Sequence, residues 1–121
     1  MSKATPPSPK RGEVWRVNFD PTRGSEIRKA RPAVVISSDA IGVLPVRLVA
    51  PITGWKSTFE KNVWHVHINP TKRNGLMKES AVDALQVRSA DTSRFEEKMG
   101  RTSTTELEEI ITTVAVVIEY R

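Results

Sequence analysis

The chain alternates apolar and polar positions in short bursts rather than long stretches. From Glu13 to Phe19 the β-formers Val14, Trp15, Val17 and Phe19 are interleaved with Arg16 and Asn18, which predicts a first strand. Asp20-Pro21-Thr22-Arg23-Gly24-Ser25 breaks it, and a polar, basic loop runs on to Ala30. Residues 32–37 are almost continuously apolar, which predicts a strand buried on both faces. Residues 46–52 predict a third strand, and Gly54 to Asn62 a second polar loop. Val63 to Ile68 alternates as a fourth strand, stopped by Asn69-Pro70. Ser80 to Val87 reads as a fifth, and Asp91 can cap a short helical turn through Phe95.

The pattern changes after Ser103. Leu107, Ile110, Ile111 and Val114 recur at helical spacing and continue into Val117 and Ile118. Ser103 and Glu106 fit a capping box, in which each side chain satisfies a backbone N–H at the helix start. Short strands followed by one terminal helix predict a mainly β (α+β) domain: a small, strongly bent antiparallel sheet closing toward a barrel.

Composition narrows the function. A chain of 121 residues is enough for one domain. Residues 1–10 are Pro- and Ser-rich and predict a disordered tail ahead of a single domain at 11–121. There is no cysteine, which excludes a disulfide framework, a thiol nucleophile and a cysteine zinc site. The absence of a membrane-length apolar run or signal-like start makes a soluble, cytoplasmic protein the expectation. Nineteen Lys and Arg against fourteen Asp and Glu give a net charge of +5, which favours a polyanionic partner.

Few catalytic groups are on offer. The acidic residues Asp20, Asp39, Asp83 and Asp91 are scattered, so the clustered carboxylates of a magnesium-dependent nuclease are missing. His65 and His67 share one face of a predicted strand. They could hold a metal or act as a base, but no third ligand is evident, and an exposed polar face is the simpler reading. No cofactor motif appears and no metal site is expected. Arg31 opens the second strand just before Pro32, and Thr53 closes the third just before Gly54. A fixed cation and a hydroxyl at neighbouring strand mouths suit a phosphodiester. Arg31 reads equally well as a surface arginine paired with Glu26, and Thr53 as a β-former ending its strand. Arg28 and Lys29 make the first loop a phosphate-steering loop or a solvated one. Trp55 and Lys56 combine a stacking ring with a cation, as on single-stranded nucleic-acid surfaces, or form an apolar lid.

In this order the pieces resemble the MazF/PemK family of toxin endoribonucleases. Arg11-Gly12-Glu13-Val14-Trp15 is similar to the family's opening segment. Gly24-Ser25-Glu26, Arg31-Pro32-Ala33-Val34-Val35-Ile36, Pro51-Ile52-Thr53 and Ser80 to Arg88 follow in register. The resemblance implies an SH3-like barrel, similar to that of the CcdB toxins, acting as a homodimer. It implies metal-independent cleavage of single-stranded RNA, leaving a 2′,3′-cyclic phosphate and a 5′-hydroxyl. It puts the catalytic arginine and threonine on Arg31 and Thr53, and substrate contacts on Glu26 and Gln86. Ser25 and the residues read above from charge and stacking, Arg28, Lys29, Trp55 and Lys56, complete the expected RNA-binding set. The implied partner is an antitoxin whose acidic, flexible segment occupies the RNA groove. Ile27-Arg28-Lys29-Ala30 departs from the family's glycine-rich stretch and makes the loop more basic.

Two rivals share the fold. One is a CcdB-like, non-enzymatic gyrase poison, but the residues Val117 to Arg121 lack the Trp-Gly-Ile segment of those toxins. The other is an RNA-binding SH3-like module without chemistry. Both would leave RNA intact.

Overall fold

The longest strand organises the molecule. In the computed structural model, which describes residues 7–120, this strand (β3, Val46–Gly54) pairs antiparallel with three others. They are β2 (Ala30–Val35), β5 (Ser80–Asp83) and β6 (Arg88–Asp91). Beyond β2 lie β1 (Glu13–Asn18) and then β7 (Phe95–Arg101); beyond β5 lies β4 (His65–Ile68). The order β4-β5-β3-β2-β1-β7, with β6 also on β3, makes one bent seven-stranded sheet. It remains open, with β4 and β7 at its edges, so the expected closure toward a barrel is not completed.

β2 is buried on both faces, as its continuous apolar run requires. Val34 joins Val14, Ala50, Ile52, Val66 and Val82 on one face, where Ile110 of the helix α1 (Thr104–Val117) packs. Ala33 and Val35 join Val17, Phe19, Val49 and Phe95 on the other. The helix starts with the expected capping box: Glu106 N–H donates to Ser103 Oγ at 3.1 Å, and Ser103 N–H to Glu106 Oε1 at 2.8 Å. Among the described residues no helix is long and apolar enough to cross a membrane.

Three expectations change. The expected fifth strand over 80–87 breaks after Asp83, whose carboxylate accepts from Leu85 N–H at 3.0 Å and turns Ala84–Gln86 into a 3₁₀ turn. β7 was not legible, because its residues Phe95 to Arg101 are mostly charged and do not alternate. Its charges serve an edge strand, with Lys98 Nζ 2.9 Å from Glu13 and Arg16 Nε 3.4 Å from Glu96 across the β1–β7 pair. The expected tail ends sooner than residue 10. Residues 1–6 lie outside the described residues, but Pro9 is buried and its carbonyl accepts from Arg47 Nε at 2.9 Å.

The turn after β4 docks on the backbone of β7. A Cβ on Gly100 would fall 2.2 Å from the Arg73 carbonyl oxygen, and one on Gly75 2.1 Å from that of Met99. Only glycine permits such approach. Buried Asn74 holds this turn, accepting from Thr71 and Leu76 N–H at 2.9 and 3.0 Å.

Candidate active site

The β2–β3 register pairs Ala33 with Pro51 and Val35 with Val49. Continued by two residues, it sets Arg31 opposite Thr53. Arg31 Nη1 donates to Thr53 Oγ1 at 3.3 Å, and Arg31 Nε to the Arg28 carbonyl at 2.8 Å. A guanidinium carries five N–H donors. Among the described residues, Arg31 therefore keeps the rest of its fork unpaired, and no carboxylate lies within ion-pair distance of it. The alternative pairing of Arg31 with Glu26 does not form: the Glu26 carboxylate accepts from Arg23 N–H at 2.7 Å.

Both residues line a cleft of about 290 Å³, together with Arg16, Gly54, Lys78 and Met99. Sequence reading passed over Arg16 and Lys78. Lys78 arrives on the turn before β5, and a Cβ on Gly54 would stand 3.2 Å from its Nζ. The glycine after Thr53 could have signalled such a close neighbour, though not which one. A cation-lined cleft attracts an anion, and the unpaired part of the Arg31 fork can bind one in two-point fashion.

The first loop is ordered by its own polar groups. Lys29 N–H donates to Asp20 Oδ1 at 2.9 Å, and Lys29 itself takes φ +69°, the left-handed region that favours glycine. Arg28 reaches back to the Gly24 carbonyl at 3.2 Å. Gln86 clamps the loop from the other side: its Nε2 donates to the Ser25 carbonyl at 3.0 Å, and its Oε1 accepts from Ile27 N–H at 3.3 Å. The 3₁₀ turn that interrupts the fifth strand is what aims Gln86 there. Glu26 and Gln86, with Pro21 and Arg88, line a second cleft of about 400 Å³.

The structure thus brings Arg28, Arg31 and Thr53 together, and separately Ser25, Glu26 and Gln86. Trp55 and Lys56 stand apart, on the loop after β3. Trp55 lies flat on His67, while Lys56 Nζ is 6.0 Å from the centre of the Phe59 ring. The two histidines are each engaged. His67 Nε2 is 2.7 Å from Glu79, and His65 Nε2 is 3.7 Å from Asp83, with side chains only 7% and 13% exposed in the second pair. Burial pushes the His65 pKa down, against the pull of Asp83; burial likewise pushes the Asp83 pKa up, against His65 and two backbone N–H groups.

The chain matches the family model described as PemK-like, MazF-like toxin of type II toxin–antitoxin system, over residues 10–118. It is 36% identical over 107 residues to Endoribonuclease MazF9 of Mycobacterium tuberculosis, covering 84% of this chain and 88% of that protein. To Endoribonuclease MazF of Staphylococcus saprophyticus it is 33% identical over 102 residues, covering 84% and 83%. The crystal structure of MazF from Deinococcus radiodurans superposes with a TM-score of 0.77 at 26% identity, covering 93% of this chain and 97% of that one. A mycobacterial endoribonuclease solved with its cognate antitoxin has the same fold, with a TM-score of 0.74 at 16% identity and coverage of 93% and 97%.

Proposed function

The chain belongs to the PemK/MazF family and is an endoribonuclease toxin of a type II toxin–antitoxin system; from that premise we propose that Arg31 and Thr53 cleave single-stranded RNA without a metal. The observation that carries this reading is the Arg31–Thr53 contact at 3.3 Å with most of the guanidinium fork unpaired. The RNA supplies its own nucleophile. Its 2′-oxygen bonds to the adjacent phosphorus, the P–O5′ bond breaks, and the products are a 2′,3′-cyclic phosphate and a 5′-hydroxyl. The proton leaves the 2′-oxygen and one is returned to O5′.

The protein aligns this attack and stabilises charge growing on the non-bridging oxygens. Arg31 meets those oxygens with its planar fork, and Thr53 donates one further hydrogen bond. Arg28 and Lys29 steer the backbone toward the cleft, while Ser25, Glu26 and Gln86 border the neighbouring cleft where a base edge can be read. An arginine is too weak an acid to be a ready proton carrier, so its first role here is electrostatic.

An acidic, flexible segment of a cognate antitoxin fits the same cationic cleft and would occupy it in competition with RNA. A homodimer is part of this reading, in the cytoplasm. Ile41, Val43, Leu44, Val46 and Leu48 are exposed together, Val43 by 94%, and offer a second copy an apolar surface to cover.

The test is primer-extension mapping of cuts on a long natural RNA in the presence of EDTA, with end-group analysis. Cuts at a recurring short motif with cyclic-phosphate ends are expected, and the matching DNA should stay whole. RNA left intact would favour a binding module or a non-enzymatic poison. With about three phosphates engaged, log affinity should fall with log salt at a slope near −2.

A further inference from the structure

The sheet face that presents Thr53 continues toward the β4 edge. Ala81 of β5 pairs with Thr53 on one side and with His67 on the other. Residues in register on antiparallel neighbours point to the same face, so Thr53, Ala81 and His67 form one row. Two strand spacings, about 10 Å, separate its ends, and Ala81, small and fully buried, lies between them. Trp55 follows two residues after Thr53 and continues the ladder, its N–H donating to the Glu79 carbonyl at 3.1 Å.

Four rings gather at this edge. Trp55 stacks on His67 with centroids 4.0 Å apart and planes at 14°. Phe59 stacks on His65 at 3.9 Å and 16°, and Trp55 meets Phe59 edge-on at 5.9 Å. Both imidazoles are fixed by polar partners, His67 by Glu79 at 2.7 Å and His65 by Asn62 at 3.1 Å. Together with Glu60 and Glu109 the four rings line a cleft of about 440 Å³.

Building on the reading of Arg31 and Thr53 as the RNA-cleaving pair, we propose that this cleft is a nucleobase subsite, in which one base flanking the cleaved linkage stacks on Trp55. Every base has a π-face, and a half-buried indole held flat by His67 is ordered before the base arrives. The lining carries two carboxylates and no lysine or arginine, so it repels phosphate and admits a base. The RNA backbone stays on the cationic side, near Arg31. Trp55 lies about 7 Å along the chain from Thr53, the reach of a nucleotide step.

The probe is a short RNA spanning a mapped cut, with 2′-deoxyribose at the attacking nucleotide so that it binds without being cut. Abasic sites are placed in it one position at a time. One position beside the cut should weaken binding to the wild-type protein by roughly 10- to 100-fold, the range of a single base–aromatic stack. Trp55→Leu keeps an apolar cover on His67 without a π-face. It should lose a similar factor on intact RNA and nothing more on that abasic RNA, while Trp55→Phe keeps most of the affinity. Melting temperatures establish that the variants fold, and the abasic scan on the wild type needs no variant. The subsite is overturned by a flat abasic scan. It is equally overturned by a Trp55→Leu loss that persists in full on the abasic RNA, or by a loss confined to antitoxin binding. Arg31→Ala and Thr53→Ala variants that cut the all-ribose RNA as fast as the wild type would overturn the catalytic reading instead, and the scan would still judge the subsite.

Discussion

Arg31 and Arg47 are the same residue type on adjacent strands of one sheet, and they do opposite things. Arg47 is buried, 3% exposed, and its guanidinium is consumed by main-chain carbonyls. It donates to Pro9, Leu44, Val46 and Gly42 at 2.9, 2.6, 3.0 and 3.3 Å. Arg31 is partly exposed and makes one such bond and one to a hydroxyl. A guanidinium whose donors are taken up by the backbone pins chain segments together. One held at two points with donors left over is positioned for something that arrives. The contrast separates structure from chemistry more sharply than charge or exposure alone.

The largest effect that would break this contrast is on folding. Arg47→Met leaves four carbonyls without their donor, at about 1–3 kcal/mol for each that stays buried. Denaturant melts should show a loss on the order of 4 kcal/mol; a variant as stable as wild type would remove Arg47 from its anchoring role. Arg31→Ala and Thr53→Ala should do the reverse. Cleavage should fall by about 10²- to 10³-fold, or 2.7 to 4 kcal/mol, with the melting temperature close to wild type. Retained activity in either variant would take that residue out of the site.

Gln86→Ala comes next. It removes both hydrogen bonds that clamp the first loop, each worth about 0.5–1.5 kcal/mol. Proteolysis within residues 20–29 should accelerate and KM for RNA should rise, while global stability changes less.

His65 sharpens the contrast through pH. Its folded-state pKa is depressed by burial, so the stability it contributes is present above the ordinary imidazole value of about 6.5 and is lost as pH falls below it. The wild-type melting temperature should drop between about pH 7.5 and 5.5, and His65→Gln should flatten that slope. An unchanged slope would mean that other groups set it. Asp83 has a raised pKa, so its contribution runs the other way and falls in the more acid range. The smallest effect is Lys29→Gly, which relieves the left-handed backbone and should stabilise the fold by about 1 kcal/mol. If it destabilises, the lysine side chain is holding the loop.

Much of this was legible in the chain. Local rules found β1 to β4, the capped helix and the Asp91 turn, because each rests on neighbours within a few residues. They failed where a distant partner decided the outcome. At the start of β3, Val46 and Leu48 face outward and Arg47 inward, because Pro9 and the chain around Gly42 close over the guanidinium. β7 exists because β1 presents an open edge, which no periodicity within residues 95–101 records. At the site, Arg31 and Thr53 were legible as strand-end residues and through the family's motifs, while Arg16 and Lys78 depended on which turn docks beside Gly54.

The sequence by itself settled β1 to β4, the capped helix, the basic character and the family, since these depend on periodicity, caps, charge and ordered motifs. Tertiary structure alone decided which polar groups were left with nothing to bond. That is a matter of register and docking between segments tens of residues apart, and it is what distinguishes the guanidinium of Arg31 from that of Arg47.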